Sequence, residues 1–532
     1  MKDLFKKKKK ISLALLLFLV VLLIRFQGFN WGGGYFFHPD EGNMARSITQ
    51  MRVFDLNPRF FAYGQFPLYL AYFSGLLLNF ISGGISGTVS YVQAVYLLRF
   101  FSALFSLAAI YLAYFLVDSL FEKERQKMNW LLIPLLAFVP GLIQSAHFGT
   151  TESLLTFICL GLVYLSLLIF QNGFKNKYVL VSAFLLAIGL ASKVTALFFI
   201  LPVALASIAS WIREKRKEIW LVKIGSLIIL TLIFFFIFCP YYFLNWPEAL
   251  RILIYESKLA SGQLTAFYTR QFWLTKPLVF QLQRIFPWVL GWPLFILGIW
   301  GLILNIFLLI KRKIKKQWWL FHLGWWPYFL FNIFLYTKWV RFMIPVLPFW
   351  VILAFWRITR ITKKELAYFM VLISLIPGLI FSKIYWTTDI RLRATDWINQ
   401  NLAPNSVILF ENGNIVDLPS LDQNKFTTIG FNFYTLEESF GQQEKLTSYL
   451  AKADYFLSPS RRVFANLQQQ KLPYTQDFYQ DLLSGKSGFS LIREFNLFSR
   501  WERLVVGSDL NSEETWTVFD HPTLRLYQKH EN

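Results

Sequence analysis

The stretch KKKKKISLALLLFLVVLLIRF, residues 6–26, decides the fold class of this chain. Five lysines precede an apolar block at 11–27, which approaches the ~20 residues that cross a bilayer. No small-x-small cleavage site follows the block, so we interpret it as an uncleaved first membrane helix and not as a signal peptide. Lysines accumulate on the cytoplasmic side of membranes. The N-terminus is therefore predicted to be cytoplasmic.

The rest of the chain repeats this pattern of apolar block and charged strip. Of 532 residues, 55% are hydrophobic and 16% are charged. The apolar blocks lie near residues 11–27, 66–82, 91–117, 130–147, 153–171, 179–192, 194–212, 224–244, 286–310, 318–337, 342–357 and 366–384. This composition predicts a multi-spanning α-helical membrane protein. The net charge of +22 lies mainly in the strips, so we assign it to contact with anionic membrane lipids and expect no nucleic acid partner.

Basic strips between the blocks predict a topology. They lie at residues 121–129, 172–177, 213–217, 311–316 and 357–364. All five reach the cytoplasm if the block at 66–82 lies along the outer surface without crossing. The sequence therefore predicts about eleven crossings in a plasma-membrane domain of residues 1–385. Its larger outer loops would be 28–90 and 245–285, and the second of these is predicted either to cover a site or to form a surface helix pair.

The last part of the chain, residues 386–532, has a different pattern. Its apolar blocks stop, and TDWINQNL (395–402) is typical of a helix start, as LTSYLAKA (446–453) is of a helix. Strands are predicted at SVILFE (406–411), DYFLSPS (454–460) and RLYQK (525–529). This alternation predicts a small soluble α/β domain, which the topology places outside the cytoplasm.

The predicted topology gathers polar side chains on the outer face. They are His38, Asp40 and Glu41 in YFFHPDEGNMARSI (35–48), His147 and Glu152 in HFGTTES (147–153), Lys193 in GLASKVTAL (189–197), and Lys338 and Arg341 in TKWVRFMIP (337–345). Outward-facing cations at helix ends are unusual, and charges near a bilayer should face water, each other or a ligand. The set therefore suggests a site for a phosphorylated, hydroxyl-rich substrate.

Structural roles remain open for these side chains. Asp40 and Glu41 also suit the start of an outer amphipathic helix, and Glu152 suits the start of the next apolar helix. Lys193 and Arg341 are equally compatible with cations that extend to lipid headgroups. The residues alone leave both interpretations standing.

Metal and disulfide chemistry has little support in the sequence. His38 and His147 are interpreted as hydrogen-bonded structural groups, because no metal-ligand spacing occurs. Cys159 and Cys239 lie inside apolar blocks and offer neither a disulfide framework nor a cysteine metal site. No cofactor is expected to be required, and assistance from a divalent metal is left open.

Five motifs in this order resemble the GT-C glycosyltransferases, in particular the bacterial and archaeal relatives of protein O-mannosyltransferases and of the lipid A aminoarabinose transferase. They are FFHPDEGNMARSI (36–48), GQFPLYLAYF (64–73), HFGTTESLLTF (147–157), GLASKVTAL (189–197) and VRFMIPVLPF (340–349). ATDWINQNLAPNSVILFEN (394–412) and FDHPTLRLYQK (519–529) resemble the soluble tail of many prokaryotic members. The resemblance covers most of residues 30–525 and implies the GT-C fold.

The resemblance implies an activity. It is the transfer of one sugar from a polyprenyl-phosphate carrier to a hydroxyl of a protein, lipid or glycan acceptor outside the membrane, with inversion at the anomeric carbon. Attack by a hydroxyl needs a general base, and the leaving phosphate needs fixed positive charge. By position in its motif, Asp40 is the expected base.

The other motif residues are expected to bind substrate. Glu41 and Glu152 would orient the acceptor or the sugar, with His38 beside them, and the carrier phosphate would lie against the cations. Those candidates are Lys193, Arg341 and Arg270 of AFYTRQF (266–272). Several relatives carry a lysine about where Gln65 stands, so a phosphate contact from that position is expected to come from elsewhere or to be absent.

Two other activities fit the same outer-face site. An oligosaccharide ligase would use a diphosphate-linked donor, and a transporter or flippase would bind a lipid-linked sugar without chemistry. Transporters tend to place polar groups near the membrane midplane in repeated halves. Here the charges concentrate on one face and the two halves do not resemble each other, which favours an enzyme.

Overall fold

The structure is a computed structural model that describes residues 2–84, 87–122, 126–213, 217–412, 421–466 and 472–530. Up to residue 385 the described chain consists of helices and their connections. The helices are α1 Lys2–Phe26, α2 Pro39–Gln50, α3 Phe66–Ile81, α4 Tyr91–Leu120, α5 Leu132–Ala137, α6 Pro140–His147, α7 Glu152–Asn172, α8 Asn176–Leu190, α9 Leu201–Arg213, α10 Lys217–Phe238, α11 Tyr241–Leu244, α12 Trp246–Ser261, α13 Phe286–Val289, α14 Trp292–Ile310, α15 Trp318–Phe334, α16 Leu347–Ile358 and α17 Lys364–Ser382. We call this part the membrane part.

Seven described helices are long and apolar enough to cross a membrane, and the bent pair Gln126–Ala137 and Pro140–His147 would make an eighth. The seven are Tyr91–Leu120, Glu152–Asn172, Val194–Arg213, Lys217–Phe238, Trp292–Ile310, Val340–Ile358 and Lys364–Tyr385. The chain is therefore helical and multi-spanning, as its composition predicts. The count of eleven crossings and the outward orientation remain predictions.

Helix length bears on the block that the topology keeps out of the membrane. The 16 residues of α3 reach only about 24 Å at 1.5 Å per residue, less than the ~30 Å hydrocarbon core. That length suits its predicted position along the outer surface. The same argument applies to α8, which has 15 residues although the sequence scheme counts it as a crossing.

The core of the membrane part forms around α7. This helix packs against α4 and α9, and 78% of its apolar window is buried. By contrast only 11% of the apolar window of α10 is buried, so this helix presents most of its side chains outward, as expected beside lipid. The second packed pair is α14 with α16. Close approach there occurs at Gly301, where a Cβ would lie 2.2 Å from the Leu353 carbonyl oxygen.

The tail, from residue 386 onward, forms a five-stranded sheet with helices. Its elements are α18 Ile390–Asn401, β1 Val407–Glu411, β2 Thr427–Phe431, α19 Phe440–Lys452, β3 Tyr455–Ser458, α20 Pro473–Ser484, β4 Phe489–Phe495, α21 Arg500–Val506, α22 Glu514–Thr517 and β5 Leu524–Lys529. The strand order is β2-β1-β3-β5-β4. β1 pairs in parallel with β2 and β3, while β5 pairs antiparallel with β3 and β4.

The predicted tail elements lie close to the observed ones, with one shift and two omissions. The strands at 406–411, 454–460 and 525–529 correspond to β1, β3 and β5, but the sequence prediction lacks β2 and β4. The helix predicted from residue 395 begins at Ile390. Its N-cap is Asp389, whose carboxylate accepts from the Arg391 N–H at 2.9 Å and pairs with the buried Arg391 guanidinium.

The tail packs directly on the membrane part. Asp520 accepts hydrogen bonds from Gln144 Nε2 at 3.1 Å and from the Tyr385 hydroxyl at 2.8 Å. The rings of Phe381 and Trp516 stack with centroids 4.7 Å apart. All five of these contact residues are buried. The two parts therefore share one packed interface.

Candidate active site

The site begins at the N-terminus of α2. Pro39 starts the helix, and Asp40 and Glu41 lie in its first turn. The N-cap is His38, whose Nδ1 accepts from the Glu41 N–H at 3.4 Å. The capping role that the sequence left open for Asp40 therefore belongs to His38. Burial lowers the pKa of His38 although Asp40 and Glu41 oppose the shift, which keeps the ring neutral and able to accept.

Asp40 forms an ion pair with Arg341, and the Tyr63 hydroxyl also donates to its carboxylate at 3.1 Å. Burial would raise the pKa of Asp40, but the cations Arg341 and Lys193 and the hydrogen bond from Tyr63 outweigh that effect and hold the pKa below its ordinary range. Asp40 is thus a carboxylate at neutral pH. Its side chain is 22% exposed, so a substrate hydroxyl can reach it.

A second ion pair lies beside the first. Lys193 Nζ is 3.5 Å from Glu152 Oε1, and the ammonium also lies 5.8 Å from the centroid of the Tyr63 ring. Lys193 lies in the turn between α8 and the 3-10 helix Val194–Ile200, and Glu152 begins α7. Tyr63 therefore joins the two pairs, since its hydroxyl reaches Asp40 and its face meets Lys193.

Close backbone contact fixes the turn that carries Lys193. The Gly64 N–H donates to the Ser192 carbonyl at 2.9 Å, and the Phe66 N–H donates to the Ala191 carbonyl at 3.0 Å. A Cβ on Gly64 would lie 2.0 Å from the Ala191 carbonyl oxygen, so only glycine fits there. The chain before α3 and the turn at Lys193 therefore form one rigid unit.

Glu41 occupies a different place from its neighbour. Its two carboxylate oxygens accept from Arg99 Nε at 2.7 Å and Arg99 Nη2 at 2.8 Å, and Oε1 also accepts from the Gly149 N–H. Both ionic side chains are 0% exposed. The expectation that Glu41 orients acceptor or sugar is thus not matched by its position, because its oxygens are already bonded inside the protein. The arrangement supports a structural role for this pair.

Arg99 links that pair to the loop between α1 and α2. Its Nη1 donates to the Phe29 carbonyl at 3.0 Å and to the Trp31 carbonyl at 3.1 Å. Sequence reasoning missed Arg99 because it lies inside the apolar block at 91–117. The available signal was a single arginine within an apolar block, because an arginine inside a membrane segment normally has a buried partner.

Two more groups surround the charged cluster and were also missed. Tyr63 precedes α3, and Glu256 lies on α12. Burial raises the pKa of Glu256, and the nearby Asp40 raises it further while Arg341 and Lys193 oppose the shift. The loop 245–285, which the sequence predicts to lie on the outer face, therefore brings a third carboxylate toward Arg341, in addition to Asp40 and Glu152. That loop consists of α12, the 3-10 helix Phe267–Phe272 and a short π-helix at Gln281–Ile285.

The remaining predicted residues are Arg270, His147 and Lys338. Arg270 lies on the 3-10 helix Phe267–Phe272 and acts electrostatically on Tyr434 of the tail. His147 stacks on Tyr385 with ring centroids 3.5 Å apart, which fits its expected structural role. Lys338 Nζ donates to the Tyr336 carbonyl at 3.0 Å, and burial lowers its pKa to about 8.

The Gln65 side chain is uncharged and cannot form an ion pair with a phosphate, as expected from the sequence. It is fully buried, and its Oε1 accepts from the Tyr241 N–H at 3.0 Å. Phosphate contacts would therefore come from the neighbouring Lys193 and Arg341. Within the described ranges, no three His, Cys, Asp or Glu side chains are grouped as ligands for a metal ion.

Three comparisons set this geometry beside known proteins. No curated protein matches the chain in sequence. Among solved structures, the Archaeoglobus fulgidus oligosaccharyltransferase in the apo form is 14% identical, with 89% of this chain and 73% of that chain covered and a TM-score of 0.48. ArnT from Cupriavidus metallidurans bound to undecaprenyl phosphate is 12% identical, with 97% and 98% covered and a TM-score of 0.46.

A third similar structure is the protein O-mannosyltransferase Pmt1-Pmt2 complex of S. cerevisiae bound to the sugar donor, at 16% identity, 45% and 34% coverage and a TM-score of 0.33. The family comparison matches a defined segment, residues 93–241, which includes Arg99, Glu152 and Lys193. It confirms for this segment the resemblance that the motifs indicate. Residues 93–241 match the dolichyl-phosphate-mannose-protein mannosyltransferase family.

Proposed function

We propose that this protein is an integral-membrane inverting glycosyltransferase. It would transfer a sugar from a polyprenyl-phosphate carrier to a hydroxyl of a protein, lipid or glycan acceptor on the outer face of the membrane. The observation that carries the proposal is the cluster in which the Asp40–Arg341 and Lys193–Glu152 pairs meet at Tyr63. It combines a partly exposed carboxylate with two cations, which are the groups that this transfer needs.

In this reaction Asp40 accepts the proton of the acceptor hydroxyl. The hydroxyl oxygen then forms a bond to the anomeric carbon while the bond from that carbon to the phosphate oxygen breaks. The leaving polyprenyl phosphate keeps the electron pair of the broken bond. Arg341 and Lys193 would neutralise its charge. Attack from the face opposite to the phosphate inverts the anomeric carbon.

The family match supports the same activity. It includes Glu152 and Lys193 but neither Asp40 nor Arg341. Those two residues form an ion pair with each other, and Tyr63, which donates to Asp40, also lies against Lys193 of the matched segment. The proposed donor and acceptor classes rest on this combination and on the motifs at 36–48 and 340–349.

The direct test is transfer by the purified full-length protein in lipid nanodiscs. We would supply a panel of undecaprenyl-phosphate sugars with membrane extracts as acceptors and identify products by mass spectrometry. The proposal expects a hexose- or pentose-type addition that depends on the monophosphate donor. Activity only with diphosphate-linked donors would indicate a ligase, and movement of the lipid across the bilayer without product would indicate a flippase.

A further inference from the structure

One short segment of the tail, residues 513–519, contacts both regions that carry the charged pair of the site. It comprises α22 and the residues that flank it. Glu513 reaches the backbone next to Arg341, and Phe519 reaches the N-cap of the helix that carries Asp40. The inference below rests on the proposed function.

Glu513 binds the chain just before Arg341. Its Oε2 accepts from the Val340 N–H at 3.3 Å, and its Oε1 accepts from Gln271 Nε2 at 2.7 Å. Its own N–H donates to the Arg284 carbonyl at 2.9 Å. The side chain is 1% exposed, so water cannot replace these bonds readily. The carboxylate thus joins the chain at Val340 to the chain at Gln271, and the Glu513 backbone adds a bond to Arg284.

Phe519 acts at the other end of the pair. Its ring centroid lies 4.6 Å from that of His38, and the Phe148 centroid lies 4.5 Å from the same His38 ring. The Phe519 carbonyl accepts from Arg391 Nη2 at 2.8 Å, and the same guanidinium lies 3.4 Å from the centroid of the Phe37 ring. The chain that leads into α2 is therefore packed against the tail.

We infer that the tail segment 513–519 sets the relative position of Asp40 and Arg341, with Glu513 as the positioning residue for Arg341. Glu513 touches neither substrate nor reacting atoms in this role. It fixes the backbone of Val340, and through it the direction in which the Arg341 side chain leaves the chain. An Arg341 that is held in place loses less conformational freedom when it binds the carrier phosphate, so affinity depends on Glu513.

The test compares two matched variants of the full-length protein. Glu513→Gln keeps the shape of the side chain but replaces one accepting oxygen by an NH₂ group. Glu502→Gln makes the same change at another contact between tail and membrane part, where Lys383 Nζ lies 3.2 Å from both carboxylate oxygens. Glutamine can take the place of Glu502 as the N3 residue that caps α21. Both variants are checked by thermal melting.

The probe is undecaprenyl phosphate alone, titrated into each variant, with hydrogen exchange followed in residues 338–343. We expect Glu513→Gln to raise the Kd for undecaprenyl phosphate about 10-fold, which corresponds to the loss of one hydrogen bond to a charged group. We also expect faster hydrogen exchange at the Val340 amide. Glu502→Gln should change neither quantity. In an Arg341→Gln background, Glu513→Gln should have no further effect on the Kd, because it acts through Arg341.

Three results would overturn the inference: equal losses in both variants, unchanged exchange at Val340, or a full additional loss in the Arg341→Gln background. Sugar transfer by the wild-type protein is measured separately. Binding of undecaprenyl phosphate without any transfer would contradict the proposed function, while the Kd and the exchange data would still decide the role of Glu513. The two failures are thus distinguishable.

Discussion

Arg341 and Asp40 form an ion pair although they lie 301 positions apart in the chain. The pair connects the first acidic motif to the last basic one. It also places the proposed base against the proposed phosphate ligand, so each holds the other in position before substrate binds. If the carrier phosphate binds Arg341 as proposed, Asp40 would lose that partner and become a stronger proton acceptor.

The first prediction concerns Asp40 itself. Asp40→Asn keeps the size of the side chain but removes the proton acceptor, so transfer should fall by about 100- to 10,000-fold. Binding of undecaprenyl phosphate should stay within a few fold of wild type. The measurement is transfer by the purified variant together with a donor titration and a thermal melt. Since His38 caps α2, near-normal turnover would exclude Asp40 as the base and leave Glu152 or Glu256 as the next candidates.

A second prediction concerns pH. The pKa of Asp40 lies below its ordinary value because Arg341 and its other neighbours outweigh burial. The stabilising effect of the pair is therefore present above the ordinary carboxyl pKa and is lost as the pH falls through the lowered value. Arg341→Gln removes the principal cation, so the pKa of Asp40 should rise and the acidic limb of kcat/KM should move to higher pH. If the acidic limb of kcat/KM stays at the same pH in Arg341→Gln, the ionisation of Asp40 does not control that limb.

The cations give a third prediction. Lys193→Ala and Arg341→Ala should each weaken use of the lipid donor by about 1.5 to 3 kcal/mol, the range for a charge-assisted hydrogen bond. Acceptor KM should change little. Lys338→Ala is the matched control, because its Nζ donates to the Tyr336 carbonyl and not to the cluster. If both site variants use the lipid donor as wild type does, Lys193 and Arg341 do not bind the carrier phosphate and instead contact lipid headgroups.

The buried pair of Glu41 and Arg99 gives a fourth prediction. Removing one partner leaves the other charge buried and unpaired, so Glu41→Ala or Arg99→Ala should cost about 3 to 5 kcal/mol of folding free energy. Replacing both, as Glu41→Gln with Arg99→Met, should restore much of that loss. Thermal melts of the single and double variants in detergent measure this loss of stability and its recovery. If the single variants melt like wild type and lose only transfer, Glu41 acts on substrate as its motif first suggested.

Topology is the subject of the fifth prediction. If α3 lies on the outer surface, membrane-impermeant labelling of intact cells should reach single cysteines at positions 87, 265 and 450 but not at 314. These cysteines would be introduced into a chain with Cys159 and Cys239 replaced by alanine. Labelling at 314 with protection at 87 would contradict this topology, because it would mean that α3 crosses the membrane and that the later loops lie on the opposite side. The further predicted site for protection, residue 125, lies outside the described residues.

The membrane part was predictable because apolar runs determine it. Each of the twelve blocks contains a helix, and the polar set that the topology placed on one face includes both ion pairs of the site. The pairing itself was not predictable, because a sequence does not show which residues, here 41 and 301 positions apart, come into contact. Arg99 was missed for a related reason. A lone cation in an apolar block reveals that a partner exists but not which one.

In the tail, the missed strands share a physical property. β2 and β4 are the two edges of the sheet, and most of their residues are exposed or only partly buried. The central strands β1 and β3 carry mostly buried apolar residues, which produce a clear sequence signal. Edge strands need no continuous apolar pattern, so TTIGF and FSLIREF give weak signals.

The contacts of Glu513 and Phe519 also bear on the order in which the protein matures. Chains are made from the N-terminus, so Asp40, Lys193 and Arg341 leave the ribosome well before residues 513–519. The candidate site consequently receives these supports only after all of its charged residues have been made. A nascent chain that has not reached residue 513 lacks the hydrogen bond at Val340 and the ring contact at His38, so its release at that point would yield a product in which Asp40 and Arg341 are less firmly held.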